Sequence, residues 1–363
     1  MTQYNRRNFL GAALTGVVGA ALIRPAEACT RVLFRGADDT VITGRSMDWA
    51  EDMASELWAF PSGMVRDGAG GAGTPRWTAR YGSVIAAGYN VGTADGMNER
   101  GLVANMLYLA ESEYGVATPG RPPLSISTWA QYALDNFPTV AEAVTALAPE
   151  PFQVIAPVLP NGQRASLHLS LSDAGGDSAI FEYIGGKLVI HQGREFTVMT
   201  NSPTFDQQIA IQRYWDGIGG LNFLPGTVRA ADRFARAKFF LNAVPKQVDR
   251  AYIGAVPGRS FGNQALAQVL SVVRGVGVPL GISVEGQPNL ASTIWRTVAD
   301  QKNLIYFFDS AMKPNTFWVE LGKLNLRAGA PAMKLPMVGD EVYAGEVSAR
   351  FVPAPPFTFL PAG

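Results

Sequence analysis

The chain has 363 residues, and its 30 basic and 30 acidic side chains cancel. No basic tract or aromatic-basic stripe occurs, which argues against nucleic acid as a partner. The single cysteine, Cys29, can form no internal disulfide, so stability must come from a hydrophobic core, for which the apolar fraction of 47% is ample.

The first 28 residues are typical of an export signal and not of a folded segment. Arg6 and Arg7 form the pair of a twin-arginine signal, an apolar run follows over residues 9–23, and Ala28 closes an A-x-A cleavage pattern. The run has 15 residues, fewer than the roughly 20 that span a bilayer, so we expect no stable membrane anchor. We therefore predict a twin-arginine-type signal peptide over 1–28, one domain over 29–363 and a periplasmic location.

A cysteine directly after a signal is also the residue at which bacterial lipoproteins are acylated. Their signals usually carry a leucine-like residue three positions before the cysteine and a small neutral residue two positions before it. Here those positions hold Ala26 and Glu27, and the charge of Glu27 favours ordinary cleavage with a free amine at Cys29. A lipid-anchored, non-enzymatic binding protein acylated at Cys29 remains the alternative.

The predicted elements fall in blocks along the chain. Runs at 30–35 and 40–43 around the turn 36–39 predict a hairpin. Further strands are predicted at 84–87, 102–109, within 167–200, at 305–308 and at 317–319. Helices are predicted at 124–147, 205–214, 230–241 and 264–273, and an extended Pro-rich tail at 353–361. Strands and helices in separate blocks indicate the α+β class.

Two motif matches and the two histidines indicate no function. Residues 68–73 match G-x-G-x-x-G, but no helical pattern follows, so a loop is predicted. Residues 310–313 match the S-x-x-K of serine β-lactamases, but Pro314 follows at once and a strand precedes. His168 and His191 have no metal-ligand partner at useful spacing, so we expect sheet-face or surface positions for both, no metal and no cofactor.

A cysteine at the first position of a chain carries its own base. The pKa of an α-amine is about 7.7–8.0, so near neutral pH part of it can accept the proton of the thiol. A hairpin register centred near Asp38 places Cys29 opposite Met47 and makes Arg45 a diagonal neighbour. Asp48 lies one residue beyond Met47, and strict alternation puts Arg45 and Asp48 on opposite faces. We expect both to serve Cys29 only if the strand ends or bulges between them.

Further segments follow Cys29, Arg45 and Asp48 in a fixed order. They are DGMNERGL at 95–102, Tyr108 six residues later, TNSP at 200–203 and DRFARA at 232–237. Together these segments resemble the choloylglycine hydrolase family of N-terminal nucleophile amidases, which contains penicillin V acylases and bile salt hydrolases. The resemblance covers most of the chain after Cys29.

The resemblance implies a four-layer αββα sandwich, the N-terminal nucleophile hydrolase fold, and the hydrolysis of linear amides. It implies that Cys29 is the nucleophile, that Arg45 stabilises its thiolate and that Asp48 orients its amine. The residues that it implies around the reacting carbonyl are Asn201 and the backbone N–H of Tyr108 as oxyanion donors, and Arg233 as a second arginine of the site.

The substrate is expected to be a small-molecule amide with an apolar acyl group. Trp49 and Met47 are predicted to line the acyl pocket. Tyr108 is the choice similar to penicillin V acylases, whereas bile salt hydrolases carry Asn there. With the export signal, this favours penicillin V or N-acyl homoserine lactones as substrates. A conjugated bile salt hydrolase is the alternative, and a homo-oligomer stays open.

Overall fold

The structure is a computed structural model that describes residues 29–116, 118–283 and 291–362. The signal peptide predicted over 1–28 lies outside these described residues. Within them, no helix is both long enough and apolar enough to cross a membrane.

The strands of the described residues are, in chain order, β1 (Thr30–Arg35), β2 (Val41–Trp49), β3 (Leu57–Phe60), β4 (Val65–Asp67), β5 (Arg76–Thr78), β6 (Ser83–Gly88), β7 (Gly92–Asn98), β8 (Val103–Tyr108), β9 (Pro123–Ser125), β10 (Gln153–Ile155), β11 (Leu167–Ser172), β12 (Ser178–Ile184), β13 (Lys187–Gln192), β14 (Val198–Met199), β15 (Ser292–Asp300), β16 (Ile305–Ser310), β17 (Thr316–Glu320), β18 (Met333–Leu335), β19 (Gly345–Glu346) and β20 (Val352–Pro353). The α-helices there are α1 (Trp129–Asn136), α2 (Val140–Leu147), α3 (Phe205–Ile218), α4 (Ala230–Ala243) and α5 (Phe261–Gly275).

Two large sheets form the centre of the fold. One has seven strands in the order β14-β1-β2-β15-β16-β17-β19, and the other has nine in the order β13-β12-β11-β8-β7-β6-β3-β18-β20. Helices α4 and α5 pack on β1 and β2, and α3 packs on α4. On the other side α1 packs on β7 and β8, while β2 meets β8 between the sheets. The layers are therefore helix, sheet, sheet and helix, as predicted.

The first hairpin has the predicted register. Thr30 pairs with Ser46, which places Cys29 opposite Met47. Asp38 and Asp39 form the turn with φ values of 54° and 53°. This left-handed backbone is tolerated by Asp, and the Thr40 N–H closes the turn by donating to the Ala37 carbonyl at 3.0 Å.

The single helix predicted over 124–147 is wrong. The structure has β9, a short 3₁₀ turn over Ile126–Thr128, and then α1 and α2, separated at Phe137. Phe137 is extended, with φ −121° and ψ 136°, because Pro138 crowds the residue before it and cannot donate to a helix. Ala130, Ala133 and Leu134 are nonetheless buried, as the apolar periodicity predicted.

Most of the remaining predicted elements are present, although β8 is shorter than the predicted range 102–109, and several central strands were not predicted. Helices α3, α4 and α5 contain the predicted ranges, as do β6, β16 and β17. Residues 68–73 form a loop between β4 and β5, and Ser310 ends β16, so neither motif match has its required context. The missed strands include β3 and β7 of the nine-stranded sheet and β15, which lies beside β2 in the seven-stranded sheet.

Candidate active site

Cys29 directly precedes β1 and is only 2% exposed. Its Sγ lies 3.8 Å from Nη2 of Arg45, 3.5 Å from the backbone nitrogen of Asp48 and 3.8 Å from Sδ of Met47. The structure therefore brings the thiol together with the three neighbours that the hairpin register predicted.

Arg45 brings a buried positive charge to the thiol. Its Nη2 donates to the Met106 carbonyl of the facing sheet at 2.8 Å, and its Nη1 lies 3.8 Å from Oδ2 of Asp95. The guanidinium also lies 4.6 Å from the centroid of the Trp295 ring. A planar cation held on several sides in this way keeps its charge directed at Sγ.

Asp48 reaches Cys29 without the strand break that alternation seemed to require. Strand β2 is continuous from Val41 to Trp49, and the register shift lies in β15, between Thr293 and Trp295. The backbone N–H of Asp48 donates to Sγ, whereas its carboxylate accepts from Thr293 Oγ1 at 2.5 Å. The Arg45 side chain and the Asp48 backbone N–H therefore both reach Sγ from one continuous strand, without the break or bulge in β2 that was stated as the condition.

Arg233 extends from α4 to the start of β1 and is completely buried, so a solvated helix position is excluded. Its Nη1 donates to the Cys29 carbonyl at 2.5 Å and to Thr30 Oγ1 at 2.6 Å, and its Nη2 donates to Asn201 Oδ1 at 2.7 Å. The same Asn201 oxygen accepts from the Cys29 nitrogen at 2.6 Å. Arg233 and Asn201 therefore fix the main chain of Cys29 from the helix side.

Asn201, one of the two predicted oxyanion donors, also contacts Tyr108, whose backbone N–H is the other. Its Nδ2 donates to the carbonyl of Tyr108 at 2.8 Å, so this carboxamide connects Cys29 with the end of β8. An amide nitrogen carries two hydrogens, and this contact uses one of them. The oxyanion role of Asn201 and of the Tyr108 N–H stays a prediction.

Burial sets the protonation of the site. It raises the pKa of the Cys29 thiol; the charge of Arg45 opposes this rise and the charge of Asp48 adds to it. Burial also raises the pKa of Asp48, against the charge of Arg233 and the hydrogen bond from Thr293. The resting thiol is therefore favoured in its protonated form, and a reaction through its thiolate would require a base.

An apolar cleft opens at Cys29. Met47 and Trp49 line it, as predicted, together with Met53, Met106 and Tyr108. A pocket with mostly apolar walls and a few polar groups at one end suits a small molecule with an apolar part. The geometry places the thiol where the polar end of such a molecule would meet it.

His168 has a structural partner that sequence reasoning missed. It lies on a sheet face, as predicted, but that face is buried. Its Nε2 lies 2.9 Å from the carbonyl oxygen of Thr200 and its Nδ1 lies 3.0 Å from Oε1 of Glu182. Glu182 in turn accepts from the backbone nitrogen of Phe205 at 3.0 Å. These contacts hold both ends of the segment that carries Asn201.

Asp95 is the second residue whose place was missed. It was noted only as the start of a motif, but its carboxylate lies beside Arg45 and accepts from Asn105 Nδ2 at 2.6 Å and from the Tyr306 hydroxyl. Burial raises the pKa of Asp95, and the charge of Arg45 opposes the rise. The available signal was a lone acidic residue in the otherwise uncharged run that forms β7.

Among residues 29–116, 118–283 and 291–362, no group of three or more His, Cys, Asp or Glu side chains could hold a metal ion.

Similarity to known proteins agrees with the fold and the site. Residues 29–334 match the family described as linear amide C–N hydrolases, choloylglycine hydrolase family, so the chain belongs to this family and is an amide hydrolase. A penicillin V acylase of Pectobacterium atrosepticum is 48% identical over 347 residues, covering 92% of each chain.

Solved structures give the same fold. The structure of penicillin V acylase from Agrobacterium tumefaciens matches with a TM-score of 0.82 and 49% identity, over 92% of this chain and 99% of that one. A variant of conjugated bile acid hydrolase from Clostridium perfringens matches with a TM-score of 0.69 at 20% identity, over 84% and 96% of the two chains, which shows the fold alone. A bile salt hydrolase/transferase of the same organism is 30% identical over 178 residues, 42% of this chain and 53% of that protein.

Proposed function

We propose that the chain, after removal of residues 1–28, uses Cys29 as an N-terminal nucleophile to hydrolyse linear amides with apolar acyl groups. The observation that carries the proposal is the position of the Cys29 thiol, which lies beside Arg45 at the polar end of an apolar cleft. The Cys29 nitrogen, hydrogen-bonded to Asn201 Oδ1, is in place to become the free α-amine.

In the first step the α-amine of Cys29, directly or through a water, accepts the proton of the thiol. Burial disfavours a free thiolate at rest, so this transfer accompanies attack, and the charge of Arg45 stabilises the thiolate that forms. The hydrogen bond to Asn201 Oδ1 holds the amine in position, and in this proposal the carboxylate of Asp48 orients it.

The sulfur then forms a bond to the amide carbonyl carbon, and the carbonyl oxygen becomes an oxyanion. Asn201 and the backbone N–H of Tyr108 donate to this oxygen. The C–N bond breaks and the amine leaves with the proton that the α-amine had taken. Water attacks the remaining thioester, which releases the carboxylic acid and restores the thiol.

The acyl group occupies the cleft lined by Met47 and Trp49. Penicillin V and N-acyl homoserine lactones both present an apolar acyl part on an amide, and the relative that is 48% identical is named a penicillin V acylase. Hydrolysis of an acyl-homoserine lactone in the periplasm would quench quorum signalling, which would give the export signal over 1–28 a purpose.

The experiment compares amine release by the mature protein from penicillin V, a long-chain acyl-homoserine lactone and glycocholate. We expect turnover of the first two with glycocholate spared. Preference for glycocholate would replace this substrate class with conjugated bile salts. A diacylglycerol group on Cys29 together with no turnover would favour the lipid-anchored binding protein.

A further inference from the structure

The C-terminal segment, residues 354–362, returns to the cleft after β20. The backbone N–H of Leu360 donates to the Val91 carbonyl at 2.8 Å, and that of Ala362 donates to the Ala69 carbonyl at 2.8 Å. The Leu360 carbonyl accepts from Ser125 Oγ at 2.7 Å and from Ser127 Oγ at 2.8 Å. Four hydrogen bonds therefore fix a segment that is not part of either large sheet.

An aromatic contact fixes the same segment before it reaches the cleft. The ring of Phe357 packs edge-on against Trp58 and Phe60, at centroid distances of 4.9 Å and 5.6 Å. These contacts lie on the helix side of the nine-stranded sheet, away from Cys29. Contacts of Phe357, before Leu360, and of Ala362, after it, therefore fix the position of Leu360 within the protein itself.

Leu360 lines the cavity that Cys29 also lines. Asp95 lies beside Arg45, whereas Val91, which binds the Leu360 backbone, lies four residues earlier in the chain. An extended chain rises about 3.3 Å per residue, so the backbone of Val91 lies at most roughly 13 Å from that of Asp95. Leu360 therefore lies at the Val91 end of this stretch, whereas Cys29 and Arg45 lie at the Asp95 end.

We propose that Leu360 ends the acyl pocket and sets the longest acyl chain that the enzyme accepts, an inference that rests on the proposed function. The family match covers residues 29–334, so this wall comes from chain outside the matched region. Leu360 is half-buried, and removing its side chain opens the far end of the cleft instead of leaving a sealed cavity.

The test measures kcat/KM for a series of acyl-homoserine lactones that differ only in the length of a linear acyl chain. Leu360→Ala should raise the ratio of long-chain to short-chain kcat/KM by about 10-fold, and Leu360→Trp should lower it by about as much, because one or two methylenes in an apolar pocket have effects of this size. Val352→Ala is the matched control, since it truncates a half-exposed aliphatic residue of the same terminal region away from the cleft.

Binding separates this inference from the proposed function. The affinity of Cys29→Ala and of Cys29→Ala with Leu360→Ala for the same series, measured by calorimetry, reads the pocket length without turnover. If wild type hydrolyses none of the series but the affinities shift with chain length, the substrate proposal fails and the pocket inference stands. Parallel length profiles for wild type, Leu360→Ala and Val352→Ala, in both turnover and binding, would overturn the role of Leu360.

Discussion

Two groups of arginine and aspartate side chains in this protein differ in where they lie. Arg45 and Asp95 are completely buried between the two sheets, 3.8 Å apart and beside Cys29. Asp309, on β16, accepts from Arg274 at 2.6 Å, and half of the Arg274 side chain is exposed. The same residue types thus form one pair inside the candidate active site and a second, peripheral pair that reaches the protein surface at Arg274.

The two groups have opposite effects on protonation. Burial raises the pKa of Asp48 and of Asp95. At Asp309 burial acts in the same direction, but hydrogen bonds from Arg274 and Thr316 prevail and lower the pKa.

The sign of each shift gives its dependence on pH. A carboxyl with a raised folded pKa contributes stability at low pH that is lost as the pH rises through that value. One with a lowered pKa contributes stability above its unfolded pKa that is lost as the pH falls through the folded value. Near neutral pH, ionisation of Asp48 and Asp95 therefore lowers the stability of the fold, whereas ionisation of Asp309 raises it.

The largest effect is expected at Cys29. Cys29→Ala removes the nucleophile, so kcat should fall by at least about 10⁴-fold while the free energy of unfolding changes by only about 1 kcal/mol. Steady-state amine release and urea unfolding measure the two quantities. Met97→Leu, a volume-conserving change at a buried residue of β7 that does not line the cleft, is the control and should keep most of the turnover. Substantial turnover by Cys29→Ala would refute the nucleophile assignment.

Arg45 should give the next largest effect. Arg45→Met removes the charge that lowers the thiol pKa, so the pKa of Cys29 should rise and hydrolysis should fall by about 10²–10³-fold. The variant also leaves Asp95 without its partner, so circular dichroism must accompany the assay. The pH dependence of the rate at which iodoacetamide alkylates Cys29 measures the thiol pKa. Arg45→Lys keeps a charge there, and an equal loss in both variants would contradict an electrostatic role.

Asp48→Asn should separate thiol acidity from catalysis. The charge of Asp48 raises the thiol pKa, so its removal should lower that pKa and speed alkylation at a fixed pH. Hydrolysis should instead fall by about 10²-fold, because the amine loses the group that orients it. Thr293→Ser keeps the hydroxyl that binds Asp48 and serves as the control. Alkylation and hydrolysis that change in the same direction would argue against the orienting role.

The smallest effect is expected at the periphery. Asp309→Asn should leave turnover unchanged and lower the free energy of unfolding at neutral pH by about 1 kcal/mol. Because the pKa of Asp309 is lowered, this difference should shrink as the pH falls below the usual range of a carboxyl. Urea unfolding at neutral and acid pH checks this prediction. A loss that is independent of pH would assign the effect to packing instead of charge.

Local turn chemistry made much of the site predictable from sequence. The turn at Asp38 and Asp39 fixes the hairpin register, and this alone places Met47 opposite Cys29 and Arg45 nearby. Arg233 has no carboxylate three or four positions away in the sequence, which is consistent with partners elsewhere, and the structure supplies the Cys29 carbonyl and Asn201.

Burial of polar side chains limited the rest of the prediction. Strand β15 is buried almost throughout, and its Thr293 and Thr297 contact polar groups inside the protein, so no alternation of apolar and polar residues marks it. Leu360 was not predictable, because its place in the cleft depends on hydrogen bonds to residues more than 200 positions away. Pro138, by contrast, was visible and should have divided the predicted helix.

Intact-mass and peptide mass spectrometry of the exported protein, quenched during turnover of penicillin V, tests the central claim most directly. We expect a chain that begins at Cys29 with an unmodified amine, and an acyl group of the substrate on its sulfur. A chain that begins elsewhere, a diacylglycerol adduct on Cys29, or an acyl group on another residue would contradict an N-terminal cysteine nucleophile.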